Sequence, residues 1–304
     1  MSKPCYTNQD IARAAHNVRK RVLGLCIDRG GCYLAQACSS AEILNTLYMR
    51  ILNLGPSLGS PDAQHFPGVP APDNMDYPKG SLYNGFDYAN PDYSIDRLFF
   101  SCCHYAVVLY CSLVECGRLS EKAIEKFNVD GWNLEMIGAE HSPGFENTAG
   151  SLGQTVSIAA GTAHAYKMKG HTGRIFCMLS DGELQEGQDW ECFNMASYYG
   201  LDNFIVVADI NGQQLEGWTR DNMNIEPLAQ RMRAFGWEAV ECDGHDIDAI
   251  ARAVDTPHSG KPLMVLCHTH PDQGMPIISS LMPKHFITVN DKVREEYTKF
   301  YQSM

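Results

Sequence analysis

From residue 174 onward the chain alternates between short apolar runs and stretches of helical spacing, and this alternation limits the fold more than any other feature. Residues 174–179, 204–210, 237–242 and 262–267 read as strands, most of them nearly continuous apolar runs. Residues 183–199, 227–235 and 247–254 carry apolar side chains at helical spacing. A strand that is apolar on both faces needs cover on both faces. Strand–helix–strand repetition of this kind predicts an α/β fold, a mainly parallel sheet with helices on both sides. In such sheets ligands bind beyond the carboxyl ends of the strands.

The first half reads less regularly. Residues 8–27 predict a helix, with Ile11, Ala14, Ala15, Val18 and Val22 on one face. A second helix is expected to begin at Ser39, where Ser39 and Glu42 form a capping-box pattern. Residues 55–95 are rich in Pro, Gly, Asn and Asp and predict one long irregular excursion. Further helices are expected over 105–116, 120–127 and 152–168. No repeat, low-complexity tract or linker interrupts the chain, so residues 1–304 are expected to form a single domain.

Charge narrows the function. Against 24 Lys and Arg stand 36 Asp and Glu, a formal net charge of −12. Nucleic-acid binding needs a basic face, so this balance argues against it. No apolar run is long enough to span a membrane. The N-terminus has no apolar core of a secretory signal. The twelve cysteines are scattered without a C-x-x-C. Reduced, mostly buried thiols in a cytoplasmic protein are the expectation.

The chemistry concentrates where two predicted strands end. One runs into Ser180-Asp181-Gly182-Glu183 and the other into Asn211-Gly212. Asp181 and Asn211 are thirty residues apart, the length of one strand–helix–strand unit. The crossover therefore brings a carboxylate and an amide oxygen to one sheet edge. Such a donor set, with room for phosphate oxygens, suits Mg²⁺. Gly182 would let the backbone approach a phosphate closely. Asp-Gly and Asn-Gly are also ordinary turns. On spacing alone, a metal site and two plain turns both stay open. His268 and His270 would share a strand face, but no third ligand is evident, and a polar strand end is the simpler reading.

The wider stretch resembles a known family. Ser180-Asp181-Gly182-Glu183-Leu184-Gln185-Glu186-Gly187-Gln188-Asp189-Trp190-Glu191, closed by Asp209-Ile210-Asn211-Gly212, resembles the thiamine diphosphate motif of transketolases, with Ser180 in place of its first glycine. Asp96-Arg97 with Ser101-Cys102-Cys103-His104, Pro143-Gly144 leading to Gly150-Ser151-Leu152-Gly153-Gln154, Glu226-Pro227-Leu228, Phe235-Gly236-Trp237 and Asp243-Gly244-His245-Asp246 follow the family's order. The resemblance covers nearly the whole chain apart from 55–95.

This resemblance implies a thiamine diphosphate-binding fold and the N-terminal, diphosphate-binding part of a transketolase. It implies that Asp181, Asn211 and the carbonyl of Gln213 hold Mg²⁺. Gly182, Gly150 and Leu152 would lie against the cofactor, with Glu183 in the same site and Leu215 near the thiazolium ring. Glu186 and Glu191 match acidic positions facing the pyrimidine-binding domain, and Glu186 would couple to the activating glutamate there. His104 and His285 match histidines of the substrate channel; His285 lies eleven residues after Gly274, as in the family. His141, in a shortened 139–143 segment, stands near a third channel histidine. Tyr33 occupies the place of a fourth, where the family reads Gly-His-x-Gly-Gly and this chain reads Cys32-Tyr33-Leu34-Ala35-Gln36.

The pyrimidine-binding domain has no counterpart among these segments. The resemblance therefore implies a separate partner subunit carrying it, in an α2β2 heterotetramer with sites between subunits. The leading expectation is transfer of a two-carbon ketol unit from a ketose, or ketose phosphate, to an aldehyde. An alternative keeps the cofactor but passes a two-carbon acyl unit, from a 2-oxo substrate, to a lipoyl or carrier-protein thiol; Tyr33, the shortened segment and the excursion favour it. A non-catalytic subunit is supported only by Ser180 and Tyr33. A nicotinamide-binding protein lacks its G-x-G-x-x-G.

Overall fold

The computed structural model describes residues 6–57, 59–65 and 92–304. Five strands form one sheet: β1 (Arg97–Phe100), β2 (Ile175–Ser180), β3 (Phe204–Ile210), β4 (Glu238–Asp243) and β5 (Leu263–His268). Their spatial order is β1-β2-β3-β5-β4, and every pairing is parallel. β1 is not legible from sequence, because a four-residue run beside a polar excursion gives no period to read.

The sheet is covered on both sides. Phe100, Phe176, Met178, Ile205, Val207 and Val265 share one core with α1 (Asn8–Arg29), α2 (Leu34–Thr46), α3 (Ala106–Glu115) and α7 (Ile247–Val254). Their neighbours along the strands, among them Phe99, Cys177, Leu179, Val206, Ala208 and Leu266, share another. That second core includes α4 (Gln154–Lys169), α5 (Gly187–Tyr198) and α6 (Leu228–Ala234). The period-two alternation of side chains splits continuous apolar runs between two layers. No described helix is long and apolar enough to cross a membrane.

One expected boundary is corrected. The second helix does not begin at Ser39. It begins at Leu34, and Ser39 lies fully buried inside it. The Ser39 hydroxyl donates to Asp209 (2.6 Å) rather than capping, and Glu42 pairs with Arg19 and His245 instead of closing a box. Tertiary partners claim both side chains, which leaves Tyr33 to start the helix.

Most of the expected excursion at 55–95 lies outside the described residues, since 58 and 66–91 are not described. Its two ends are tied together: Asp96 N–H donates to the Asn53 carbonyl (2.7 Å), and the Asp96 carboxylate accepts from Asn53 N–H (2.9 Å).

The last segment returns to the first. Ile287–Thr288 pairs antiparallel with Gly31–Cys32, and α8 (Asp291–Ser303) packs on α1. Gly31 is required there. Its φ is +152°, and a Cβ would stand 2.7 Å from the Ile287 carbonyl oxygen. This pairing sets Tyr33 beside His285 and Phe286.

Candidate active site

Four turns meet beyond the carboxyl edge of the sheet. The first follows β2. Asp181 is 2% exposed, and its carboxylate accepts from Gly182 N–H (3.0 Å), Gly212 N–H (2.7 Å) and the Thr219 hydroxyl (3.1 Å). Asp181 thus stitches the end of β2 to the loop after β3. Burial, helped by the nearby Asp209 carboxylate, pushes it up to about 7, against the pull of those three donors.

The second turn follows β3. Asn211 donates through Nδ2 to Asp209 (3.1 Å) and to the Tyr105 hydroxyl (3.0 Å), while its Oδ1 accepts from Gln213 N–H (2.9 Å). A carboxylate only accepts, so the amide must turn its nitrogen to Asp209 and its oxygen away. Asp209 is fully buried and also accepts from Ser39, Tyr105 (2.9 Å) and Thr269. Burial raises its carboxyl, and these hydroxyl and amide donors pull it back. The sequence reading gives Asp209 no role of its own, although a signal is present: one carboxylate inside an otherwise apolar strand.

The third turn opens α4. Gly153 N–H donates to Glu183 (2.9 Å), and the Ser101 hydroxyl of the fourth turn donates to the same Glu183 oxygen. Glu183 is fully buried, and burial pushes it up to about 7. It therefore fastens 150–154, 101–104 and 180–183 to one another.

These turns enclose a cavity of about 480 Å³, within the size range of ligand pockets. Gly150, Leu152, Gly182, Glu183, Glu186, Asn211, Gln213 and Leu215 line one part, and Tyr33, Gln36, His104 and His285 another. His104 and His285 stand with ring centroids 4.9 Å apart, and the Tyr33 ring lies 5.2 Å from one and 5.5 Å from the other. Burial lowers His104 to about 3, with His285 adding to the shift, and burial lowers His285 as well. Both rings are neutral at pH 7. Gln36 Nε2 faces His285 Nδ1 (3.3 Å). An amide nitrogen donates, so Nδ1 accepts and Nε2 carries the proton. The Gln213 side chain reaches Met282 Sδ (3.5 Å) and accepts from Lys284 N–H (3.4 Å), which steadies the segment bearing His285.

Three sequence-predicted residues sit elsewhere. His141 is not among the residues lining the cavity; its Nε2 lies 2.7 Å from Glu135 in a half-buried turn. Glu191 is exposed on α5 away from the cavity lining. Asp181 lies just behind the lining, bonded to Gly182 and Gly212. His268 and His270 do not share a site. His268 pairs with Glu241 (3.1 Å), and His270 stacks on His245.

The charged side chains lining the cavity are Glu183, Glu186 and Glu216, with no lysine or arginine among the described lining residues. Such a lining disfavours an anionic group unless a cation accompanies it. Beside that acidic set lies Asp189, fully buried, both oxygens without a hydrogen-bond partner. Burial, then Glu183 and Glu186, push it up to about 9. Its ionised form is penalised only in the folded state. The stability it removes is therefore nil below the usual aspartate range and grows as pH rises towards 9. Asp189→Asn is expected to raise the melting temperature, by about 4 °C more at pH 8 than at pH 5. That corresponds to roughly 2 kcal/mol, about half the full three-unit linkage value. Parallel melting curves that differ by the same amount at both pH values would contradict this.

The family described as "Transketolase, thiamine diphosphate binding domain" matches residues 80–299. The chain belongs to the transketolase family. A putative transketolase-family protein of Sinorhizobium fredii is 32% identical over 93% of this chain and 91% of its own length. An apulose-4-phosphate transketolase subunit from Actinobacillus succinogenes is 30% identical over 88% of this chain and 87% of its own length. A 6-deoxy-6-sulfo-D-fructose transketolase subunit from a Clostridium species is 30% identical over 95% and 94%. The transketolase structure from Campylobacter jejuni superposes with a TM-score of 0.76 at 22% identity, over 98% of this chain and 43% of that one. The transketolase fold is thus the one seen here, and this chain spans less than half of the longer relatives. Two relatives that it matches over most of their length are named as single subunits of transketolases.

Proposed function

We propose that this chain is the diphosphate-binding, N-terminal subunit of a two-component transketolase, working in the cytoplasm as one domain over residues 1–304. It would transfer a two-carbon ketol unit from a ketose, or ketose phosphate, to an aldehyde. The observation that supports this reading is the meeting of the turns after β2 and β3, where Asp181 accepts from Gly212 N–H, with the 150–154 turn tied to them through Glu183, beside an acidic cavity lined by Asn211, Gly150 and Leu152.

The residues fit the cofactor and its ion. Asp181 has one carboxylate lone pair beyond its three hydrogen bonds, and Asn211 turns its amide oxygen away from Asp209. With the Gln213 carbonyl they would hold Mg²⁺, whose charge lets a diphosphate enter among glutamates. Gly150, whose added Cβ would meet nothing within 4 Å, and Gly182 leave backbone bare for the diphosphate. Leu152 and Leu215 supply apolar surface beside it. Thiamine diphosphate, once bound, supplies the carbanion chemistry that ketol transfer requires.

The protein's own contribution is position and protons. His285 presents a protonated Nε2 and can donate to a substrate oxygen. His104 is neutral and can accept a hydrogen bond from a substrate hydroxyl. Glu186, exposed at the start of α5, would face the partner's pyrimidine-binding domain. Leu215, Phe286, Met282 and Trp218 are exposed around the cavity mouth, which suits cover by a second chain in an α2β2 assembly. The carrier-thiol alternative gains no support from the names of the relatives.

Calorimetry tests this. Thiamine diphosphate with Mg²⁺ should give saturable heat with the chain plus a partner bearing the pyrimidine-binding domain, and ketol transfer should appear only with both. Turnover by the chain alone, or no binding in any combination, would sink the proposal.

A further inference from the structure

Cys242 and Cys267 face each other across β4 and β5. They are direct register partners, and their sulfurs are 3.7 Å apart. Directly opposed residues on adjacent strands have Cα atoms about 5 Å apart, inside the range a disulfide accepts. Closing the sulfurs to about 2.05 Å needs side-chain rotation rather than backbone travel. β4 is an edge strand, so one thiol is reachable: Cys242 is half-buried, whereas Cys267 is fully buried. The strands are pressed together just beyond the pair, where a Cβ on Gly244 would stand 3.0 Å from Cys267 Cβ.

We propose that Cys242 and Cys267 form a reversible modification site, oxidised by peroxide to a cross-strand disulfide. The Cys242 thiolate attacks one peroxide oxygen, the O–O bond breaks, and the first water leaves after protonation. The Cys267 thiol then attacks the sulfenic sulfur, and its proton departs with the second water. Two thiols and one peroxide give one disulfide and two waters. The two electrons come from the sulfurs. The Cys267 thiol donates to Cys242 and holds it below the usual thiol range, which favours Cys242 as the attacking sulfur. The bond would tether the sheet edge to the strand that pairs Cys267 with Asp209 and carries Thr269, a donor to the Asp209 carboxylate.

Trypsin cuts after Arg233, Arg252 and Lys284 and spares Lys261-Pro262, so Cys242 and Cys267 fall on separate peptides with one cysteine each. The native chain is treated with hydrogen peroxide, unfolded, alkylated and digested without reductant. A linked pair of peptides 234–252 and 253–284 is expected, two hydrogens lighter than the sum of the free peptides, and dithiothreitol should abolish it. In the Cys242→Ser protein, Cys267 should stay alkylatable at the same dose. The proposal is overturned if both thiols remain alkylatable after peroxide treatment. It is also overturned if Cys242 goes on to sulfinic acid while Cys267 stays free.

Discussion

Asp181→Ala is expected to lower the affinity of the partner-bound chain for thiamine diphosphate and Mg²⁺ at least about 100-fold, and to remove ketol transfer with it. The reason is charge. The cavity offers Glu183, Glu186 and Glu216, with no cationic side chain among its described lining residues. Like charges about 4 Å apart repel by about 4 kcal/mol at an effective dielectric near 20. On the proposed reading a diphosphate enters together with a divalent ion, and Asp181 is the carboxylate that would hold that ion with Asn211. Asn211 and a carbonyl oxygen alone are neutral donors and cannot replace it. A loss of about 100-fold is roughly 2.7 kcal/mol, less than one such repulsion. Calorimetric titration of the complex measures it, and circular dichroism of the variant separates lost binding from lost fold. A folded variant that binds within about threefold of the parent would refute the placement of the cation.

The sequence carries the layered α/β fold because most strands after residue 174 are apolar on both faces and end in turn residues. It also carries the meeting of the turns after β2 and β3, where Asp181 accepts from Gly212 N–H, since one strand–helix–strand unit returns the chain to the same sheet edge. Other parts are hidden for physical reasons. Ser39 reads as a cap because its spacing to Glu42 is local, while the carboxylate that claims its hydroxyl stands 170 residues away. His141 looks like a channel residue from its neighbours in sequence, but a shortened turn leaves it on Glu135. Tyr33 stands out as an odd residue. Its contact with His104, His285 and Phe286 depends on the pairing of Gly31–Cys32 with Ile287–Thr288, which no local pattern announces. Asp189 has no local sign at all, because only tertiary packing makes it buried and unpartnered.

Asp209→Ala should be the most damaging substitution that touches no ligand. It strips the shared acceptor from Ser39, Tyr105, Asn211 and Thr269, all at a buried point where β3, α2, α3 and β5 meet. Each stranded donor costs roughly 1–3 kcal/mol, offset in part by relief of a buried carboxylate. A net loss of about 3 kcal/mol is expected, read as a fall in melting temperature of roughly 6 °C. Function should suffer separately. Without the Asp209 acceptor only Gln213 N–H and the Tyr105 hydroxyl hold the orientation of the Asn211 amide, which on the proposed reading is a cation ligand, and groups that orient a metal ligand are worth about 10–100-fold in affinity. Asp209→Asn gives the discriminating comparison. Its oxygen can accept from Ser39, Tyr105 and Asn211 while its nitrogen donates to the Thr269 hydroxyl, which can rotate to accept. Mg²⁺-dependent cofactor binding should therefore be largely retained in Asp209→Asn and lost in Asp209→Ala, both measured below their melting transitions. Equal loss in the two variants would mean that Asp209 acts through its charge and not by turning Asn211.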